Sequence, residues 1–482
     1  MVEPIPDSRP NIIMVMTDQH AARIMGCAGD ECAITPAIDA FAAQGTRFEN
    51  CYCSSPLCVP SRMAFLTGLQ PHQSGVLNND TYLASDIPTI AHALGAKGYD
   101  CQLVGRMHFN GPDQTHGFAK RPIGDIGASY PGGEPPDIGP LTKGRGNRGN
   151  ELAFSGCGET SYQAYDCAVV EQALMTLAEL KHAHASGGTP FFLLISLFCP
   201  HPPYIARRRD FEQFDGKLPP PELPAPEVDH PAIATWRAAG GTASISESAI
   251  SKSRAAYYGL VSMIDRLFGQ IEAASGPDDK TVTIYASDHG ECLGERGLWW
   301  KSVLYDESAK VPLIIRGPGF GAGRTDTRVT SLMDLSATIL ALAGASLPEH
   351  TGHDSRNSDD WPNTVYSEYY GGLMNIELAD VRHRMVRRDH HKLIFYDGFG
   401  LQLFNLENDP RELQDLSADP AYSSILAELT CLVLRGWDPC EIARQQAINL
   451  QRIETIKAWV RETRPPEPMR WKDPMPERNA YE

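Results

Sequence analysis

The most restrictive feature of this sequence is an alternation, over roughly its first 340 residues, of short β-branched and apolar runs with longer stretches whose apolar residues recur at helical spacing. Strand-sized runs lie at residues 11–16, 100–105, 191–198, 281–287 and 311–316. Residues 87–97, 164–180 and 252–273 read as helices that stop near glycine or polar side chains. Runs that are apolar at nearly every position need cover on both faces, and the intervening helices supply it. The pattern predicts an α/β sandwich: a large mixed, mostly parallel sheet between helical layers.

A chain of 482 residues is too long for one simple core, so a smaller domain should follow the sandwich. Residues 1–364 are expected to form the larger, catalytic domain and residues 365–482 a smaller α+β domain. In the latter, residues 385–388 and 392–396 look like strands of an antiparallel sheet, and residues 422–435 and 441–461 like helices. Aperiodic stretches rich in glycine and proline at 131–160 and 206–246 predict long loops that shape a site or stay mobile. Beyond Thr463, Pro465, Pro466, Pro468, Pro474 and Pro476 predict an extended arm lying on a neighbouring subunit.

A formal charge of −17 argues against nucleic acid as a partner, because that binding needs a basic surface. A small anionic substrate is still compatible, since a few cations focused in a cleft suffice. The N-terminus lacks a basic stretch followed by an apolar run, and no apolar run is long enough for a membrane, so a cytoplasmic location is expected. In that setting the 12 irregularly spaced cysteines read as reduced thiols.

Residues with chemical potential stand directly after the expected strands: Asp18 and Gln19, His108, His201, and Asp288 with His289. Each alone has an ordinary explanation, since an Asp after a strand commonly caps a helix. Together they point to a site, because the carboxyl ends of parallel strands converge on one crevice. The carboxylates, amide and imidazole of Asp18, Gln19, Asp288 and His289 suit one divalent ion acting as a Lewis acid. The nitrogen of His289 favours Mn²⁺, with Ca²⁺ as the alternative. Cys58-Val59-Pro60-Ser61-Arg62, ending in Leu66-Thr67-Gly68, predicts a helix with Cys58 at its start, Ser61 bonding the open amides and Gly68 closing it. Free N–H groups there favour an anion and a negative nucleophile.

This Cys-x-Pro-Ser-Arg stretch resembles the signature of the sulfatase family, within the alkaline phosphatase superfamily. The resemblance runs along most of the chain: Thr17-Asp18-Gln19-His20, Gly105-Arg106-Met107-His108, Ser287-Asp288-His289-Gly290-Glu291, Ser331-Leu332-Met333-Asp334-Leu335 and Leu403-Phe404-Asn405-Leu406 all fit in order. It implies an alkaline phosphatase-like fold and conversion of Cys58 to formylglycine by a maturation enzyme, with Cys58 joining the metal ligands. One hydroxyl of the hydrated aldehyde would attack sulfur, His201 would protonate the leaving alcohol, and His108 would deprotonate the remaining hydroxyl so that sulfate is expelled. Arg62, Arg106 and Lys301 would hold the formylglycine and the sulfate oxygens, and Asn79 would face the leaving group. The family resemblance and the proline-rich arm also imply a homo-oligomer, a dimer or tetramer. Where sulfatases usually carry Gly-Lys, this chain has Gly105-Arg106, which keeps the charge but substitutes a planar fork.

Residues 111–118 and 293–299 resemble the choline-sulfatase branch, although residues 131–160 contain no tryptophan for a cage around a quaternary nitrogen. Aryl sulfates and sulfated sugars stay open as substrates. A phosphonate monoester or phosphodiester hydrolase would use the same nucleophile and ligand set, but is expected to carry Tyr and Thr at the positions of Arg106 and His108. An inactive binding protein with an unmodified Cys58 is the reading from another class; the complete set of ligand and cationic positions argues against it. A dinucleotide turn at residues 317–323 is weaker, because Pro318 and the polar stretch after it suggest a turn and no helix start.

Overall fold

The computed structural model describes residues 9–137, 148–185, 187, 189–242, 245–276, 280–357, 359–371 and 381–481. Its strands are β1 (Asn11–Asp18), β2 (Thr46–Tyr52), β3 (Asp100–Gly105), β4 (Gly156–Glu159), β5 (Phe191–Pro200), β6 (Ile205–Ala206) and β7 (Thr281–Ser287). They continue with β8 (Leu313–Arg316), β9 (Arg324–Ser331), β10 (Thr364–Tyr369), β11 (His383–Arg388), β12 (His391–Tyr396), β13 (Gly400–Asn405) and β14 (Ala480–Tyr481). The main sheet has the order β3-β5-β1-β7-β8-β2-β9.

The central strands explain themselves through alternation. In β1, Ile13 and Val15 join one core while Ile12, Met14 and Met16 join the other. In β5, Leu193 and Ile195 face the first, and Phe192 and Leu194 the second. Helices Ser161–Ala185 and Glu247–Ser275 cover the first face. The second is covered by Cys58–Thr67, Ile90–Ala96 and Leu332–Leu342. Each fully buried Leu or Ile contributes about 1.5–3 kcal/mol of transfer free energy, so a one-residue slip of β1 would be costly on both faces.

β1, β3, β5 and β7 run parallel, which brings their carboxyl ends together. β8 runs antiparallel to both β7 and β2, and it is what makes the sheet mixed. Pro312, which lacks an amide hydrogen, lies just outside that strand. The polar β2 and β9 were not expected as strands. They pair in parallel with each other at the sheet's edge, where cover from both sides is not required.

The smaller sheet, β10-β11-β12-β13, is antiparallel throughout, and helix Ser423–Val433 packs Leu429, Leu432 and Val433 onto its Val386, Leu393 and Leu403. The arm after Thr463 lies on its own chain, where a neighbouring subunit was expected to receive it. Trp471 N donates to Asp125 O at 3.0 Å, Gly124 N to Met469 O at 3.0 Å, and β14 pairs with β4. The expected loop at 206–246 contains helices Arg208–Phe211 and Pro231–Gly240, whose Ile233 and Trp236 are buried. The one at 131–160 contains helix Arg148–Ala153 and β4, and its residues 138–147 fall outside the described residues. Among the described residues, no helix is long and apolar enough to cross a membrane.

Candidate active site

The site is assembled where the parallel strands end. β1 delivers Asp18, and the chain turns at Gln19 with φ 71°. β7 delivers Asp288 and His289 from the neighbouring strand end. Across them starts the Cys58–Thr67 helix, all ten of whose residues are buried and which closes at Gly68 with φ 71°. Asn79 Oδ1 accepts the N–H of Val59 at 3.0 Å and so satisfies one open amide. Ser61, expected to do that, instead donates its hydroxyl to Asp288 O at 2.6 Å and ties the helix to the end of β7.

The sulfur of Cys58 lies 3.0 Å from Lys301 Nζ, 3.3 Å from His289 Nε2 and 3.7 Å from Asp18 Oδ1. One ligand atom from each of Asp18, Cys58, Asp288 and His289 falls within 4.8 Å of the others. His289 Nδ1 lies 3.1 Å from Gly290 O, which can only accept, so Nε2 turns its lone pair toward the cluster. Gln19 N donates to Asp288 Oδ1 at 3.1 Å, and its side-chain NH₂ donates to Glu291 Oε2. Its Oε1 is buried and has no hydrogen-bond partner. A buried acceptor left free beside two carboxylates and an imidazole lone pair is the donor set of a divalent cation, so the residues present fit the metal expected from the sequence.

Arg62 and Arg106 hold this set in place. Arg62 Nε donates to Asp288 Oδ2 at 2.8 Å and Nη2 to Asp18 Oδ2 at 3.2 Å, while Nη1 binds Arg106 O and Ser196 Oγ. Arg106 Nε donates to Asp18 Oδ2 at 2.6 Å, and Nη2 reaches His108 Nδ1 at 3.0 Å. Both guanidiniums thus pair with Asp18 and Asp288, the carboxylates expected to bind metal. Asn79, expected at the leaving group, has its Oδ1 committed to the helix start.

Charge balance follows from this packing. Burial and the negative charge of Cys58 oppose ionisation of Asp18, but Arg106, His201 and Lys301 outweigh them and keep its carboxyl below the usual range. Burial likewise opposes the Cys58 thiolate, yet Lys301 foremost, with His289, His108 and His201 around the sulfur, holds its pKa well below that of a free thiol. Burial, reinforced by Lys301, lowers His201 to about 4, and its Nδ1 lies 2.7 Å from Pro202 O. The substrate-free ring is thus neutral with its hydrogen on Nδ1, whereas His108, accepting from Arg106 at Nδ1, carries its hydrogen on Nε2.

Lys301 is only 1% exposed, which removes its ordinary reading as a solvated surface lysine. Gln19, His108, Trp300 and Ser302 all take positive φ, between 59° and 78°, so backbone strain gathers around the site. Two carboxylates were missed in the sequence. Asp125 accepts His108 N at 3.1 Å and pairs with Arg121 at 2.6 Å, and nothing in its loop sequence marks it. Glu291 binds Gln19 and Tyr204; its place in the Ser287-Asp288-His289-Gly290-Glu291 stretch was the available signal.

The sequence profile described as Sulfatase matches residues 10–345, and that of the C-terminal part of N-sulphoglucosamine sulphohydrolase matches residues 294–435. A protein named choline-sulfatase from Rhizobium meliloti (strain 1021) is 33% identical over 86% of this chain and 83% of its own length. Arylsulfatase K of Xenopus laevis is 27% identical over 85% of this chain and 79% of its own length. Among solved structures, the phosphonate monoester hydrolase of Agrobacterium radiobacter superposes with a TM-score of 0.72 at 21% identity, covering 91% of this chain and 96% of its own. That likeness supports the alkaline phosphatase-like fold, while the sequence matches carry the kinship. The chain belongs to the sulfatase family of sulfuric ester hydrolases.

Proposed function

We propose that the protein hydrolyses a small organic sulfate monoester, a choline-type or aryl sulfate, and that residue 58, oxidised from cysteine to formylglycine by a maturation enzyme, is the nucleophile. The observation that carries this reading is the setting of Cys58, whose sulfur faces Lys301 Nζ at 3.0 Å and His289 Nε2 at 3.3 Å at the start of a helix. A divalent ion held by Asp18, Gln19, Asp288, His289 and residue 58, Mn²⁺ ahead of Ca²⁺, supplies Lewis-acid polarisation when bound.

The chain's own groups do the rest. The Lys301 ammonium offsets negative charge that builds on the sulfate oxygens in the transition state. Arg62 and Arg106 fix Asp18 and Asp288, and Arg62 offsets part of the burial that pushes the Asp288 carboxyl up. His201 gives the departing alcohol its proton and His108 accepts one from residue 58. The first role requires His201 to charge, which burial and Lys301 oppose in the free enzyme and which a bound anionic ester favours. Asn79 caps the amide of Val59 and so steadies the helix start that carries residue 58. The name of the Rhizobium relative supports choline sulfate as an early substrate to try. Assembly as a homo-oligomer belongs to the same reading.

The test is mass spectrometry of the Cys58 peptide for formylglycine, followed by hydrolysis of matched aryl sulfate, phosphonate monoester and phosphodiester by the metal-loaded protein. Preference for the sulfate supports the reading. Preference for the phosphorus esters would overturn it while leaving the nucleophile and metal ligands standing.

A further inference from the structure

Glu291 is fully buried and lies outside the set of residues expected to bind metal or substrate. Its carboxylate accepts four hydrogen bonds. Oε2 receives the Gln19 side-chain NH₂ and the Tyr204 hydroxyl, the latter at 2.7 Å. Oε1 receives the backbone N–H groups of Leu293 and Trp300, both at 2.7 Å. A buried carboxylate held by neutral donors is expensive to desolvate, and the backbone N–H groups alone need only a neutral acceptor.

The charge has a specific consequence at Gln19. An amide side chain can present either its oxygen or its nitrogen, and an ionised carboxylate accepts but cannot donate. Glu291 therefore draws the Gln19 NH₂ toward itself and turns Oε1, free of any protein partner, the other way. Through Oε1 it also holds the peptide of Trp300, which stands at φ 62° immediately before Lys301.

We propose that Glu291 is a positioning residue that fixes the amide orientation of Gln19 for metal binding and, through Trp300, sets the approach of Lys301 to residue 58. This rests on the reading of Gln19 as a metal ligand.

Chelator-treated full-length protein titrated with Mn²⁺ by calorimetry tests it. Glu291→Gln, which can turn its own NH₂ against that of Gln19, is expected to weaken Mn²⁺ binding about 10- to 100-fold. In a Gln19→Ala background the same change should have almost no further effect, because the residue it positions is gone. Tyr204→Phe keeps the carboxylate and removes one donor, giving a milder form of the test if Glu291→Gln does not fold. Equal losses with and without Gln19, or unaltered affinity in Glu291→Gln, would overturn the proposal. Wild-type affinity in Gln19→Ala would overturn it as well, by removing Gln19 from the ligand set. Because metal binding is the readout, a failure of the sulfate-ester reading in the substrate assay stays distinguishable.

Discussion

Lys301 and Cys58 are 243 positions apart in sequence, yet the lysine Nζ stands 3.0 Å from the cysteine sulfur, buried with it. In the proposed mechanism an ammonium so placed serves both the nucleophile and the charge that develops on the ester. Lys301→Met should keep the fold and lower kcat by about 100- to 1000-fold, the usual effect of removing one stabilising donor. Lys301→Arg should not restore the rate, because a planar fork does not fit a site shaped for a point charge. Steady-state kinetics on an aryl sulfate read both; wild-type kcat in Lys301→Met would remove it from the mechanism.

Cys58→Ala should abolish turnover while leaving the circular dichroism spectrum unchanged, since alanine suits the first turn of a helix. Near-normal hydrolysis by this variant would exclude residue 58 as the nucleophile.

Arg106 touches both Asp18 and His108, through Nε and Nη2. A lysine at this position has one point of contact and loses the fork. Arg106→Lys is therefore expected to lower kcat by about tenfold on an aryl sulfate, because one ammonium cannot hold Asp18 and His108 at once. Wild-type kcat in this variant would show that the forked contact has no catalytic consequence.

Much of this site was legible because its residues follow strands. Asp18, His108, His201, Asp288 and His289 each sit after an apolar run readable as a buried strand, and the topology did the convergence. What stayed hidden depended on partners distant in sequence. Polar residues in the edge strand β9 and in β2 beside it concealed both strands, and the direction of β8 is set by its neighbours. The destinations of the Arg62 and Arg106 donors were likewise invisible, since a motif gives a residue's place and not which carboxylate its fork meets. The arm beyond Thr463 looked unpartnered for the same reason: its hydrogen-bond partners include Gly124 and Asp125, far back in the chain.

The two histidines make a sharper test, because their resting hydrogen bonds favour a donor at His108 Nε2 and an acceptor at His201. If His201 is the acid, His201→Asn should lose far more activity on alkyl sulfates than on nitrophenyl sulfate, whose leaving group needs no proton. His108→Asn should then lose similar factors on both. The reverse pattern would transfer the acid role to His108.

Acid sensitivity of the fold has an identifiable source just beyond the end of β1. His20 is fully buried; Nε2 donates to Ile24 O at 2.9 Å and Nδ1 accepts the Tyr285 hydroxyl at 2.8 Å, so only the neutral ring fits. Burial, partly offset by the bond to Ile24, lowers its pKa from 6.5 to about 4. Between those values the unfolded chain binds the proton and the folded chain does not. The contribution of His20 is thus fully present above pH 6.5 and is lost as pH falls toward 4, by about 3 kcal/mol in all. His20→Gln can keep both hydrogen bonds without titrating. Its denaturant midpoint should fall less steeply than that of the wild type between pH 6.5 and 4, whatever its stability at pH 7. Parallel pH dependences would place the acid sensitivity elsewhere in the chain.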